Sequence, residues 1–242
     1  AESGGSDTAG LTSALREGGV VEHSDAARRV QEAVAATDRR VFLPEHQHRF
    51  ADADQPLTIG HGATCSQPTT VREMLTLLDA RPGHRVLDVG SGSGWTTAIL
   101  AALVAPDGAV FGVELEPALV EFGRANLAAW VAAQGADEGA TRLDTTATGP
   151  QEPLALAPAS IEQSRPSGLG LPEHGPFDRI LVSAEAKALP MALVDQLAEG
   201  GRMVAPVRGR LAVAEVRSGE LHTRTVGAFS FVPLRGPGSA AR

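Results

Sequence analysis

The run Val86-Leu87-Asp88-Val89-Gly90-Ser91-Gly92-Ser93-Gly94 places three glycines where an apolar strand must turn into a helix. Glycine lets the backbone approach a ligand closely there, and the start of the helix leaves N–H groups unpaired. A dinucleotide fingerprint beginning at Gly90 needs a further glycine at position 95, which is Trp95, so a pyrophosphate is not the expected ligand. Glu114 ends the next apolar strand, where a carboxylate can accept hydrogen bonds from ribose hydroxyls. Together these residues point to a nucleoside cofactor without phosphates. Ser66 forms a second candidate centre just ahead of a helix containing Pro68 and Val71, whose first N–H groups favour an anion. No motif places a base beside Cys65, so the thiol is expected to line a pocket and not to act as a nucleophile. His46, His48 and His61 lack the helical spacing and acidic partners of common zinc motifs, so no metal is expected. Trp95 is expected to pack beneath the glycine turn, and the charges over 45–54 to form a solvated loop bordering a substrate entrance.

The elements that must hold these groups follow from periodicity and punctuation. Two short helices are predicted over 11–17 and 24–37, separated by Gly18-Gly19, with Ser24 as the second one's N-cap. Residues 44–56 read as irregular. Val71, Met74, Leu75 and Leu78 share one helical face, and Pro82-Gly83 is the expected stop. Strand 85–89, helix 96–104, strand 109–113 and helix 117–131 then make right-handed βαβ units, which require a parallel sheet. Further strands are predicted over 179–182, over 203–207 after a Gly200-Gly201 stop, over 211–216 and over 223–232, the last ones forming an antiparallel edge hairpin. The expected fold is α/β: a doubly wound, mostly parallel, Rossmann-like sheet with an N-terminal helical segment. One domain over 1–242 is expected, with 1–70 on the substrate side and 71–242 as the cofactor-binding core. Residues 136–172, rich in Ala, Pro, Gly and Ser, read as an insertion with one possible strand over 141–146. So long an irregular connection is a disordered stretch, a functional flap or a tolerated surface insertion.

Composition bounds the partners. The 242 residues carry a net charge of −8, which disfavours nucleic acid because phosphate binding draws on clustered Lys and Arg. An anionic substrate meets the same average field and must be held by local dipoles or single residues. No apolar run of about 18 residues exists, and the first residues lack the basic flank and apolar stretch of a secretory signal. With one cysteine no internal disulfide can form. The expectation is a cytoplasmic monomer that touches neither membrane nor nucleic acid.

The glycine turn with Asp88 and Glu114 resembles the cofactor loop of class I methyltransferases. The stretch from Pro56 through Ile59-Gly60-His61-Gly62-Ala63-Thr64-Cys65-Ser66-Gln67-Pro68 resembles the signature of the protein-L-isoaspartate O-methyltransferases. Phe42-Leu43-Pro44, Pro176-Phe177-Asp178, Gly200-Gly201-Arg202 and Val232-Pro233-Leu234 match that family in the same order. The resemblance implies S-adenosyl-L-methionine as cofactor, S-adenosyl-L-homocysteine as product, and an isoaspartyl or aspartyl peptide or protein as substrate. It gives Ser66 the place of the active-site serine. Thr64, Cys65, Asp88, Gly90, Ser91, Gly92, Glu114 and Leu115 would contact cofactor, and Ile59, Gly60 and Gln67 substrate. The implied activity is esterification of the isoaspartyl α-carboxylate, after which the ester collapses to a succinimide that hydrolyses partly to normal aspartate. Two departures stand out. The family's Gly-Asp-Gly at the adenine falls on Arg165-Pro166-Ser167 aligned backward from Pro176, or on Ala147-Thr148-Gly149 aligned forward from Thr141. The residue after the signature's proline, aromatic or His in the family, is Thr69. Alternatives are therefore a tailoring methyltransferase that converts Asp of a dedicated precursor peptide to aspartimide, a non-catalytic peptide-binding homologue, and a small-molecule methyltransferase.

Overall fold

In a computed structural model, the described residues are 25–136, 154–165 and 168–234. A helix over 25–36 (α1) leads into two 3-10 turns, Arg39–Phe42 and Glu45–Phe50, the second within the stretch read as irregular. Strands Leu57–Gly60 (β1) and Ala63–Cys65 (β2) pair as a small antiparallel hairpin of their own. Its tip is tight, with Gly60, His61 and Gly62 all at positive φ. Helix α2 spans Pro68–Leu78 and ends on Asp79 in the left-handed conformation, ahead of the expected Pro82-Gly83 stop. The predicted helix over 11–17, the Ser24 cap and the strand over 141–146 lie outside the described residues.

The core alternates strand and helix as the pattern required: Arg85–Val89 (β3), Trp95–Leu103 (α3), Ala109–Glu114 (β4) and Pro117–Ala136 (α4). Ala159–Gln163 (β5), inside the supposed insertion, is a sheet strand paired with β4, which corrects the reading of 136–172 as an insertion whose one possible strand is 141–146. Its sequence, Ala-Ser-Ile-Glu-Gln, carries one isoleucine and no apolar run, so its side chains gave no signal. Phe177–Val182 (β6), the one-turn helix Met191–Val194 (α5), Leu197–Val207 (β7), Arg210–Arg217 (β8) and Glu220–Val226 (β9) complete the chain order. Gly200-Gly201 does not stop β7 but lies within it, where the register against β6 breaks between Phe177 and Arg179.

The sheet order is β5-β4-β3-β6-β7-β8-β9, with β8 antiparallel to both its neighbours and the rest of the core parallel. Alternate residues face opposite layers. Val86, Leu181 and Val204 join the core under α2, α3 and α4, while Leu87, Ile180 and Met203 pack on Leu171, Leu193 and Val194. From β3 the chain steps outward to β4 and β5, then crosses back to β6 on the other flank of β3. Such a reversal opens a crevice beyond the carboxyl ends of the strands.

Helix α4 packs directly on the glycine turn after β3. A Cβ at Gly123 would lie 2.7 Å from the Gly92 carbonyl oxygen, and one at Gly94 would lie 3.0 Å from the Gly123 carbonyl oxygen. Backbone meets backbone here, and no methyl fits. Gly123→Ala is expected to lower stability by roughly 1–3 kcal/mol in chemical denaturation, although alanine is the better helix former by about 1 kcal/mol. Unchanged stability would show that α4 can move away from the turn.

Candidate functional site

The crevice past β3, β4 and β6 holds two adjoining clefts. The larger spans about 950 Å³ counting the solvent at its open mouth. It runs from Gly90 and Gly92 along Glu114 and Leu115 to Ser164 and Gly170, with the hairpin tip His61-Gly62 on its other side. The smaller, about 320 Å³, is bounded by Ser66, the turn Gly90–Ser93, Trp95, Thr96 and Ser183. Thr64, Gly90, Gly92 and Ser183 line both. Ser66 and the glycine turn, 24 residues apart between Ser66 and Gly90, thus share one wall-to-wall space.

Glu114 is the staple of the larger cleft. Its Oε2 accepts from Gly92 N–H at 3.0 Å, and its Oε1 accepts from Leu115 N–H at 2.7 Å and Glu116 N–H at 3.0 Å. A carboxylate offers about four acceptor sites, so this fixed group retains capacity for a ligand hydroxyl at the cleft wall. Leu115 is 37% exposed, a large apolar surface beside that carboxylate. An amphiphilic ligand with hydroxyls next to a flat apolar face would match both.

Asp88 departs from its expected place. It is fully buried at the end of β3, lines neither cleft, and its Oδ2 accepts from the Thr96 and Thr97 hydroxyls at 2.7 Å each. Burial pushes its pKa up to about 6 against those two hydroxyls, with the Glu114 charge adding to the rise. Asp88 Oδ1 and the Ser91 hydroxyl are both buried without a hydrogen-bond partner. Of the two, only Ser91 borders a cleft, so its hydroxyl is the one that a ligand there could satisfy.

Other expected contacts are redistributed. Thr64, Cys65, Ser66, Gly90, Ser91, Gly92, Glu114 and Leu115 all line one cleft or the other. Ile59, expected at the substrate, is a core residue whose Cδ1 approaches the Gly92 Cα face, 3.2 Å from where a Cβ would stand. Gly60 lies at the hairpin turn outside both clefts, and its neighbours His61 and Gly62 take the lining position instead. Gln67 also lies outside them, its Nε2 donating to Asp54 Oδ2 at 3.0 Å. Asp54 further accepts from Thr69 N–H at 2.8 Å and the Thr69 hydroxyl at 2.7 Å, and these bonds hold its carboxyl below the usual range. The start of α2, read as an anion seat, is therefore capped by the protein's own carboxylate. Thr69, a departure from the family signature, serves that cap.

Several contributors left no local signal. Ser164, directly after β5, faces the larger cleft, and Arg165 beside it pairs with Glu173 at 2.5 Å. Of the two alignments of the family's Gly-Asp-Gly, the backward one begins at Arg165, directly after Ser164, while 147–149 lies outside the described residues. Gln196 fixes the opposite wall by accepting from Leu171 N–H at 2.9 Å and donating to the Leu169 carbonyl at 2.8 Å. Gly170, at φ +82°, leaves no room there for a Cβ. Ser183 became visible only when β6 was placed beside β3. Cys65 is buried and its thiol is pushed up by burial, which leaves it neutral and unreactive. No group of three or more metal-ligating side chains occurs among the described residues.

The family model described as protein-L-isoaspartate (D-aspartate) O-methyltransferase matches residues 7–238. The chain is 42% identical over 193 residues to the protein-L-isoaspartate O-methyltransferase of Aeropyrum pernix, covering 80% of this chain and 64% of that protein, so it spans less than two thirds of that relative. It is 40% identical over 215 residues to the Methanopyrus kandleri protein of the same name, covering 87% and 84%. A Plasmodium falciparum protein described as such an enzyme, crystallised with S-adenosyl-L-homocysteine, superposes with a TM-score of 0.67 at 26% identity, covering 86% of this chain and 90% of that one.

The raised pKa of Asp88 makes stability depend on pH. A carboxyl whose folded pKa (about 6) exceeds its unfolded value (3.8) binds more protons when folded between those two points. Its contribution is then complete below pH 3.8 and fades as pH rises through about 6. Asp88→Asn removes the buried charge, so its stability relative to wild type should rise on the order of 1–3 kcal/mol between pH 4 and 7.5. Parallel pH profiles of the two proteins in denaturant titrations would contradict this.

Proposed function

We propose, from the premise that this chain belongs to the protein-L-isoaspartate (D-aspartate) O-methyltransferase family, that it esterifies the α-carboxylate of L-isoaspartyl residues in peptides and proteins at Ser66. The observation that carries this reading is the shared space between Ser66 and the glycine turn, lined by neutral groups throughout. S-adenosyl-L-methionine, bound along Glu114 and Leu115, supplies an electrophilic methyl group. Glu114 would take the ribose hydroxyls on its remaining acceptor capacity, and Leu115 would face the base. The unpaired Ser91 hydroxyl, in the wall of the smaller cleft, favours the polar amino-acid end of the same molecule.

The chain's own residues have little chemistry to perform. A carboxylate with a pKa near 4 is ionised at pH 7 and needs no general base. What remains is placement, which by itself can supply much of a rate enhancement. Ser66 would donate a hydrogen bond that orients the substrate carboxylate. Esterification removes the carboxylate's charge, so a cationic clamp would stabilise the reactant more than the transition state and slow the reaction. The smaller cleft avoids this: its side chains are hydroxyls, the neutral Cys65 thiol and the Trp95 indole. A neutral seat also accommodates an anion on a chain of net charge −8 without adding a competing counter-ion.

No helix among the described residues is long and apolar enough to cross a membrane. The proposal includes a cytoplasmic monomer acting on diffusing peptide and protein substrates; the single buried cysteine supports a reducing compartment.

Incubated with an isoaspartyl hexapeptide and methyl-labelled cofactor, the protein should release labelled methanol as the ester collapses, while the normal aspartyl peptide stays unlabelled. Ser66→Ala should lower kcat by roughly a hundredfold with little change in S-adenosyl-L-homocysteine affinity. Labelling confined to one dedicated peptide would instead support the tailoring reading. Absence of any binding heat with S-adenosyl-L-homocysteine would remove both.

A further inference from the structure

Arg39 is 5% exposed, and no carboxylate pairs with it among the described residues. Its Nη1 donates to the Ala51 and Ala53 carbonyls at 3.3 and 3.1 Å, and its Nη2 to the Gln55 carbonyl at 2.9 Å. The same Nη2 reaches the Cys65 and Ser66 carbonyls at 3.0 Å each, and Nε donates to Cys65 Sγ at 3.4 Å. The guanidinium also lies 5.2 Å from the centroid of the Trp95 ring, whose indole N–H donates to the Thr37 carbonyl. Burying a cation against carbonyls alone is costly unless every N–H is used, and here they are. So expensive an arrangement fixes something that shorter-range packing does not.

We infer that Arg39 is the positioning residue of the methyl-transfer site: it sets the backbone of Cys65 and Ser66 so that the Ser66 hydroxyl faces the glycine turn. The inference rests on the reading of Ser66 given above. Residues 65 and 66 end β2 and enter α2, and neither Cys65 nor Ser66 has a backbone carbonyl held by a ladder partner beyond the single Leu57–Cys65 pairing. The guanidinium fork supplies the missing anchor. Because it also holds 51, 53 and 55, it ties the same two residues to the segment that carries Asp54, whose carboxylate caps α2 from the other side. Trp95 closes the arrangement, since one face meets the guanidinium while the residue lines the smaller cleft. Lysine cannot replace this, because an ammonium has three donors and no planar fork.

The test is a double-mutant cycle of Arg39→Lys and Ser66→Ala, with kcat and KM measured on an isoaspartyl peptide well below the unfolding temperature. Arg39→Lys should lower kcat roughly tenfold to a hundredfold, the scale of an ångström-sized misplacement, and leave S-adenosyl-L-homocysteine affinity within about threefold. In the Ser66→Ala background the same change should cost less than about threefold, because residues acting as one unit are not additive. Full additivity, or a wild-type kcat in Arg39→Lys, would overturn the inference while leaving Ser66 in place. A wild-type rate for Ser66→Ala would instead sink the reading of the serine, and the inference with it. If Arg39→Lys does not fold by circular dichroism, Arg39→Gln takes its place in the cycle. Failure of both to fold would overturn the inference in favour of a purely structural arginine.

Discussion

The glycine-turn half of this site is built around Gly92. Its N–H reaches the Glu114 carboxylate at the end of the neighbouring strand, its carbonyl oxygen is faced by the bare Cα of Gly123 in α4, and Ile59 from the β1–β2 hairpin packs against its Cα. Three elements from distant parts of the chain therefore meet at one residue with φ +52°. A Cβ there would stand 3.2 Å from Ile59 Cδ1, so a side chain at this positive-φ position would press on the β1–β2 hairpin whose tip borders the larger cleft. The dense packing of protein interiors leaves no slack to absorb such a displacement.

The Ser66 half is organised differently. Its segment from 51 to 66 has little regular structure, so its carbonyls need partners from outside. One buried guanidinium provides them, while the Asp54 carboxylate accepts the Thr69 N–H at the start of α2. Polar side chains do here what ladders and helix hydrogen bonds do in the sheet. The two halves meet at Trp95, which starts α3 and supports Arg39 on its ring face.

Charge is kept off the space beside Ser66. The cations near the site are committed to carbonyls, as in Arg39, or to acidic partners, as in Arg165 with Glu173. The one strongly perturbed carboxyl among the described residues, Asp88, is turned onto α3 and away from both clefts. What faces the space beside Ser66 is neutral, so a bound anion would be oriented without being neutralised.

The sequence by itself determined the parallel core, the position of the glycine turn, the acidic residue at the end of β4 and the place of Ser66, because each is encoded within a few consecutive residues. Apolar periodicity, a run of glycines and a signature segment are local properties, and local properties can be read along a chain. Tertiary structure alone decided the rest. β5 is a strand because β4 offers it an edge, not because Ala159–Gln163 is apolar. Asp54 caps α2 from 15 residues away. Ile59 left the substrate for the core, and Asp88 left the cleft for α3. Arg39, an ordinary charged residue in the sequence, became the anchor of Ser66. In each case the deciding quantity is a hydrogen-bond partner or a neighbour's volume supplied by a remote segment, and such quantities exist only once the chain has closed on itself.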